Sequence, residues 1–182
     1  MRQKIFFLIL SIFIITSCEK KEIVEKNKTE RNFPLDSFKN YSFNLLNTDY
    51  NFDLKTKIFT IDFYKFSDSI RLTKDEENQI AKEFFENYID TLKNHNSIRD
   101  PEKPLILPNF GNSFYVYKKG INISFIRIEN GEYKNIDKLN ESDKNILNFY
   151  NRIFEILNKN KDFKKCLDTL QSVKKYDDRI FM

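Results

Sequence analysis

The stretch SFYVYKKGINISFIRIENG, residues 113–131, decides the fold class. Apolar residues alternate with polar ones on both sides of Lys119-Gly120, a pattern typical of two strands joined by a tight turn. We therefore predict a β-hairpin whose facing apolar side chains are Phe114, Val116, Ile121 and Ile123. The adjacent pair Phe125-Ile126 interrupts the alternation and indicates a β-bulge. Because strands joined by a hairpin are antiparallel, this stretch argues against a parallel, doubly wound sheet.

Upstream of the hairpin, residues 72–94 change to a helical pattern. Thr73 is followed three residues later by Glu76, which is a capping-box signature. The apolar stripe that follows consists of Ile80, Phe84, Tyr88 and Leu92. Two more amphipathic helices are predicted after the hairpin, with stripes at Ile146, Phe149, Tyr150, Ile153 and Leu157, and at Phe163, Leu167, Leu170 and Val173.

Residues 41–66 supply the other strands. They are rich in Phe, Tyr and Ile, and Phe59, Ile61 and Phe63 alternate with polar residues. The order along the chain is then strands, helix, hairpin, helix, helix. We predict an α+β fold of two layers, in which an antiparallel sheet of about four to five strands packs against three helices.

Residues 96–112 are predicted to form a loop, since they contain three of the four prolines and one of the three glycines. The loop includes an apolar insert, Leu105-Ile106-Leu107, that a simple connection does not require. Loops on a rigid scaffold often carry recognition, so we predict an interaction loop from Ser97 to Asn112 with these three residues as its contacts. The alternative is that the three residues plug the edge of the core.

The chain lacks the usual signatures of a catalytic site. The single histidine, His95, follows the first predicted helix, where it is expected to interact with the helix dipole. Cys166 lies on an apolar stripe and is expected to be an inert core thiol. Phosphate-binding loops need closely spaced glycines, and the glycines of this chain are far apart, at Gly111, Gly120 and Gly131. We expect no catalytic, cofactor-binding or metal-binding residue, no cofactor and no nucleotide.

Carboxylates leave one enzymatic alternative open. Their pairing in space cannot be read from a sequence, so an envelope hydrolase or a carbohydrate-handling protein with paired carboxylates stays possible. Aromatic residues make up 15% of the chain, but there is no Trp, and rings at strand and helix spacing are more typical of a core than of a sugar site. The triplets Asp68-Ser69-Ile70, Asp90-Thr91-Leu92 and Asp168-Thr169-Leu170 resemble an O-glycosylation signal of some Gram-negative envelope proteins, and we assign no site there.

The amino terminus carries the most specific signal. Arg2 and Lys4 precede an apolar run over residues 5–15, which is shorter than the roughly twenty residues of a membrane span. The run ends at Ile15-Thr16-Ser17-Cys18 and charged residues follow. This pattern resembles the lipobox of bacterial lipoproteins. The resemblance implies cleavage before Cys18 and attachment of acyl chains such as palmitate to it, which gives a stable membrane anchor. The alternative is an ordinary cleaved secretory signal with an incidental cysteine.

The resemblance also divides the chain. Residues 1–17 are expected to be a removed signal peptide, residues 18–32 a lipidated flexible tether rich in charge, and residues 33–182 a single α+β domain. Removal of residues 1–17 from the 182-residue chain leaves 165 residues. Of the 31 basic and 27 acidic side chains, the segment removes two basic ones, which leaves a net charge of +2 and predicts no nucleic-acid partner.

Together these features predict a lipid-anchored protein of the cell envelope of a Gram-negative bacterium. We expect the outer membrane, on either its periplasmic or its surface face. The predicted function is that of a non-catalytic binding or interaction module, with an immunity-type or assembly-accessory role. Its expected partners are the membrane, through the lipid on Cys18, and an envelope protein.

Overall fold

The computed structural model describes residues 35–99, 111–129 and 136–177. Its strands are β1 (Tyr41–Leu46), β2 (Asn51–Asp53), β3 (Ile58–Ile61), β4 (Phe66–Ser69), β5 (Asn94–Ile98), β6 (Gly111–Lys118) and β7 (Ile121–Glu129). Its α-helices are α1 (Lys74–Glu86), α2 (Glu141–Leu157) and α3 (Lys161–Lys175). Short 3-10 helices occupy Leu35–Asn40, Asp62–Tyr64, Ile89–Thr91 and Ile136–Lys138. The predicted α+β class with three helices is confirmed.

The sheet differs from the prediction in size and in direction. Its seven strands follow the order β4-β3-β2-β1-β6-β7-β5, so about four to five strands was an undercount. All neighbours are antiparallel except β5 and β7, which are parallel, and the sheet is therefore mixed. The edge strands are polar, with the sequences FSDS in β4 and NHNSI in β5. An edge strand has a neighbour on only one side and needs little apolar content, so alternation did not reveal these two.

The hairpin is confirmed, but its register differs from the prediction. Lys119 and Gly120 have positive φ values of 50° and 81°, as a two-residue type I′ turn requires. Val116 pairs with Ser124 whereas Tyr117 pairs with Asn122, so the register shifts by one residue between them. This irregularity lies nearer the turn than the bulge expected at Phe125-Ile126. As a result Phe114 pairs with Ile126, not with Ile121 or Ile123, and Ile121 is 70% exposed.

The core lies between one face of the sheet and the three helices. Its largest fully buried side chains are Phe43, Phe52, Phe59, Phe84, Phe114, Phe149 and Phe163. The ring of Phe149 in α2 lies 5.5 Å from Phe43 in the sheet and 5.9 Å from Phe84 in α1. Phe163 in α3 lies 5.7 Å from Phe59. All three helices therefore pack on the face of the sheet that carries Phe43 and Phe59.

Helix α1 begins as predicted and ends earlier. Thr73 Oγ1 accepts the N–H of Glu76 at 3.2 Å, and a Glu76 carboxylate oxygen accepts the N–H of Thr73 at 2.7 Å, which completes the capping box. The helix ends at Glu86, because Tyr88 adopts a left-handed conformation with φ of 58°. Tyr88 was predicted to lie on the apolar stripe of this helix. It lies outside the helix and is 40% exposed.

The predicted loop from Ser97 to Asn112 is a strand at both ends. Ser97 lies in β5, and Asn112 lies in β6. The predicted contacts Leu105, Ile106 and Leu107 lie outside the described residues, as do residues 1–17 and 18–32. No helix in the ranges given above is long and apolar enough to cross a membrane.

Candidate functional site

The sheet face opposite the helices carries the candidate site, and we call it the open face. Along β6, the core residues Phe114 and Val116 alternate with Tyr115 and Tyr117, which point to the other side of the sheet. Tyr115 and Tyr117 are half-buried, whereas Phe114 and Val116 are fully buried. The open face is therefore partly accessible and carries aromatic side chains.

One line of paired residues crosses the open face. Asp53 pairs with Asn44, Asn44 with Tyr115, Tyr115 with Phe125, and Phe125 with His95. Directly paired residues project from the same face, so these five side chains form a row across β2, β1, β6, β7 and β5. We call Tyr115, Phe125 and His95 the aromatic row.

The rings of the aromatic row are in contact. The ring centroids of Tyr115 and Phe125 are 4.7 Å apart, with an angle of 37° between the rings. Those of Phe125 and His95 are 4.9 Å apart, with an angle of 35°. His95 thus lies in strand β5 against a phenyl ring, and the interaction expected between His95 and the dipole of the first helix was wrong.

A recess of about 320 Å³ adjoins the other end of the row. Asn44 and Asp53 belong to both the row and the recess, and Ser42 and Tyr117 complete its central lining. We use "the recess" for this cavity, whose other lining residues are Lys39, Asn40, Tyr41, Lys55, Lys119 and Gly120.

Two tight turns position the lysines of the recess. Asp53 Oδ1 accepts the N–H groups of Lys55 at 2.7 Å and of Thr56 at 3.0 Å, which fixes the turn after β2. The Lys119 N–H donates to the carbonyl oxygen of Asn40 at 2.6 Å, which joins the tip of the hairpin to the 3-10 helix at the start of the described chain. The local backbone therefore holds Lys55 and Lys119 at the rim.

The charge of the recess is positive. Lys39 forms an exposed ion pair with Asp36 at 2.6 Å. Lys55 and Lys119 form no ion pair with any residue that the structure describes. Beside the recess, the Lys118 ammonium lies 5.2 Å from the centre of the Tyr41 ring. Two uncompensated lysines thus face a lining that holds one carboxylate, that of Asp53.

A larger cleft of about 900 Å³ continues from the recess between the first 3-10 helix and α1. The two cavities share Lys39, Tyr41, Ser42 and Lys55. Phe38, Ile80 and Ala81 give the cleft apolar walls, and the Lys57 ammonium pairs there with the Glu77 carboxylate. The recess is therefore one end of a longer depression.

A third cavity, of about 420 Å³, contains the carboxylates of Asp49 and Asp62. Asp49 already pairs with the Lys174 ammonium at 2.9 Å, and Phe63 in the same cavity is 54% exposed. The Lys174 ammonium therefore already occupies one of the two carboxylates of this cavity. The geometry of this cavity therefore does not favour the paired-carboxylate alternative.

Two further titratable groups, the Cys166 thiol and the Asp143 carboxyl, have structural surroundings. Cys166 is buried, and burial raises the pKa of its thiol to about 11, which suppresses the reactive thiolate. Burial also raises the pKa of Asp143, whose N–H donates to Asn140 Oδ1 at 2.8 Å in the cap of α2. Among the residues that the structure describes, no group of three or more His, Cys, Asp or Glu side chains is arranged to hold a metal ion.

Sequence patterns pointed to the core more clearly than to the open face. Among the residues that the structure describes, most rings lie in the core or pack against it, as expected, but Tyr115, Tyr117 and Phe125 do not. One sequence signal could have indicated the open face. Tyr115 and Tyr117 alternate with Phe114 and Val116, which makes both faces of β6 apolar or aromatic. No protein family matches this chain, and neither a curated protein nor a solved structure shows significant similarity to it.

Proposed function

We propose that this chain is a lipid-anchored, non-catalytic binding module of the Gram-negative cell envelope that binds its ligand on the open face of the sheet. The observation that carries the binding role is the aromatic row beside a recess rimmed by uncompensated lysines. The support for the anchor is the lipobox-like sequence Ile15-Thr16-Ser17-Cys18. An immunity-type or assembly-accessory role, with an envelope protein as a partner, is consistent with this arrangement.

The chemistry of the open face suits binding. The row and the recess offer ring surfaces, amide and hydroxyl groups, and ammonium groups, which together provide apolar contact and directional hydrogen bonds. Asp53, the acidic residue of the recess, accepts two backbone N–H groups of its own turn. That role fixes the turn and explains the residue without a catalytic step.

The ends of the proposed interaction loop lie in two strands of the sheet. Ser97 and Asn112 are its ends, and they lie in β5 and β6, the strands that contribute His95 and Tyr115 to the aromatic row. The apolar insert between these ends is the reason for the proposal. We therefore keep Leu105, Ile106 and Leu107 as proposed contacts.

Site-specific photocrosslinking in the native envelope tests the proposal. A photoreactive benzoylphenylalanine replaces Tyr115 on the open face in one variant and Asn151, which is exposed on α2, in the other. We expect an adduct from position 115 and none from position 151. Equal labelling from both positions, or labelling from position 151 alone, would contradict a ligand site on the open face.

A second pair of variants tests the loop. Leu105→Asp and Ile106→Asp are expected to leave the protein folded and to weaken the adduct formed from position 115. If both variants unfold, the insert belongs to the core and the loop is not a contact. The adduct from position 115 in the unmodified loop remains the measure of the binding role.

A further inference from the structure

We propose that the aromatic row and the recess bind an acidic glycan, a chain of sugar units that carries carboxylate groups. This inference rests on the proposed binding role of the open face and names its ligand class. Three properties of the site carry it: the length and direction of the row, the polar lining of the recess, and the uncompensated lysines at its rim.

The row is long and narrow. From Asp53 to His95 it crosses five neighbouring strands, and with strands about 4.8 Å apart it spans roughly 19 Å. A compact small molecule would occupy one end of such a row, whereas an extended chain lying across the strands occupies all of it. The length therefore favours a polymer or an oligomer.

The rings favour sugar units. An aromatic ring has a negative face, which attracts the polarised C–H groups of a pyranose ring. Tyr115 and Phe125 are half-buried, so part of each ring stays accessible to a ligand. Sugar units packed against these rings would continue into the recess at Asn44.

The recess favours hydroxyl groups next to acidic groups. Ser42, Asn44 and Asp53 supply hydrogen-bond donors and acceptors in a space of about 320 Å³. The ammonium groups of Lys55 and Lys119 complement carboxylates of the ligand. A flat anionic bilayer fits less well, because a planar layer of headgroups could not fill a concave site.

The expected binding is weak per contact and depends on salt. Exposed pairs between ammonium and carboxylate groups are individually weak and are screened within about 8 Å at physiological ionic strength. A repeating ligand compensates by engaging several contacts at once. Affinity should therefore rise with the length of the glycan and fall as salt is added.

The test uses the full mature chain with Cys18→Ala, which keeps the protein free of lipid, and polygalacturonate as the probe. Affinity electrophoresis compares polygalacturonate with uncharged dextran. Lys55→Gln combined with Lys119→Gln removes the rim charges. The matched control is Lys161→Gln combined with Lys164→Gln, two exposed lysines of α3. Circular dichroism checks that each variant is folded.

We expect retardation by polygalacturonate and none by dextran. The rim variant should lose about tenfold in affinity, as removal of two weak charge contacts implies, and the α3 variant should change less than about twofold. Tyr115→Leu, which keeps an apolar side chain but removes the ring, should also weaken binding. If Tyr115→Leu does not fold, the comparison of the two lysine double variants still decides the result.

Three results would overturn the inference. The first is the absence of retardation by polygalacturonate. The second is an equal loss in both lysine variants, which would indicate general charge attraction. The third is binding to phosphatidylglycerol vesicles, lost in the rim variant, without binding to the glycan, which would assign the lysines to a membrane surface. The photocrosslinking adduct at position 115 persists if only the ligand class is wrong and is absent if the binding role is also wrong.

Discussion

At the scale of single residues, Phe84 illustrates how aromatic packing holds the two layers together. Its side chain is fully buried, and its ring centroid lies 5.2 Å from that of Phe38 and 5.9 Å from that of Phe149. Replacement by Ala would remove these contacts and leave a cavity. We expect Phe84→Ala to lower the free energy of unfolding by about 3–5 kcal/mol in urea denaturation.

The matched control for this substitution is Ile121→Ala at a site that is 70% exposed. Surface substitutions of this kind usually change stability by less than about 0.5 kcal/mol. A loss below about 1 kcal/mol in Phe84→Ala would contradict the packing of α1 on the sheet.

Tyr150 gives a residue-scale prediction for alkaline pH. Burial raises the pKa of its phenol from 10.0 to about 12, and a hydrogen bond with Asn112 acts in the opposite direction. Because the folded state holds the proton more tightly than the unfolded state, this contribution to stability is complete below pH 10. It is lost as the pH rises from about 10 to about 12.

Urea denaturation at about pH 9 and about pH 11.5 measures the effect. The free energy of unfolding should fall more steeply in the wild-type protein than in Tyr150→Phe, which lacks the titrating group. Tyr50, whose pKa burial also raises, keeps part of the dependence in the variant. Equal slopes in the two proteins would contradict the prediction.

Periodicity predicted which residues are buried more reliably than which exposed residues matter. The stripes placed Phe84 and Cys166 in the core, and both are buried. The contacts on the open face could not be predicted from periodicity. Phe125 and His95 come together only because β5 pairs with β7 in parallel, and a pairing between distant segments leaves no local pattern in the sequence.

At the scale of elements, Asn160 joins the start of α3 to the start of α1. Its Oδ1 accepts the N–H groups of Asp162 and Phe163, each at 3.0 Å. Its Nδ2 donates to the Arg71 carbonyl at 2.9 Å and to the Glu76 carboxylate at 3.1 Å. The residue is only 6% exposed, so removal of the amide would leave buried polar groups without partners.

We expect Asn160→Ala to lower the free energy of unfolding by about 2–3 kcal/mol, more than an ordinary cap. The matched control is Asn140→Ala at the exposed cap of α2, where Oδ1 accepts the Asp143 N–H at 2.8 Å and a loss of about 1 kcal/mol is expected. Thermal or urea unfolding of both variants gives the comparison. Equal losses would show that the contacts to Arg71 and Glu76 do not stabilise the fold.

Helices and strands differed in how well the sequence predicted them. The helices carry their own signals: the capping box at Thr73 and the apolar stripes of α2 and α3 are local. The part of the predicted helix after Glu86, with Tyr88 and Leu92, is not part of α1, because Tyr88 takes a left-handed conformation that spacing does not reveal. The polar strand β5 is defined by its partner: Asn96 Nδ2 donates to Ser124 Oγ at 3.0 Å, a contact with β7 made across 28 residues of sequence.

At the scale of the whole molecule, the fold separates two roles between the faces of one sheet. The helix-covered face contains the aromatic core and supplies the stability, and the chain has no disulfide within the described residues, where Cys166 is a free thiol. The open face keeps its rings and lysines partly accessible. Fold class could be predicted from local patterns, but the candidate site depends on the order of the five strands β2, β1, β6, β7 and β5.

The anchor is a property of the whole chain, and Cys18→Ala tests it. If Cys18 is the lipidated residue, the variant should take up no labelled palmitate and should remain uncleaved or become soluble, because two or more acyl chains supply the stable attachment. Cys166→Ala is the matched control: Cys166 is the other cysteine of the chain and is buried, so that variant should incorporate the label as the wild type does. Membrane fractions washed with high salt separate lipid anchoring from charge attraction. If Cys18→Ala stays with the membranes after the wash and still carries label, the lipoprotein interpretation of Ile15-Thr16-Ser17-Cys18 is wrong.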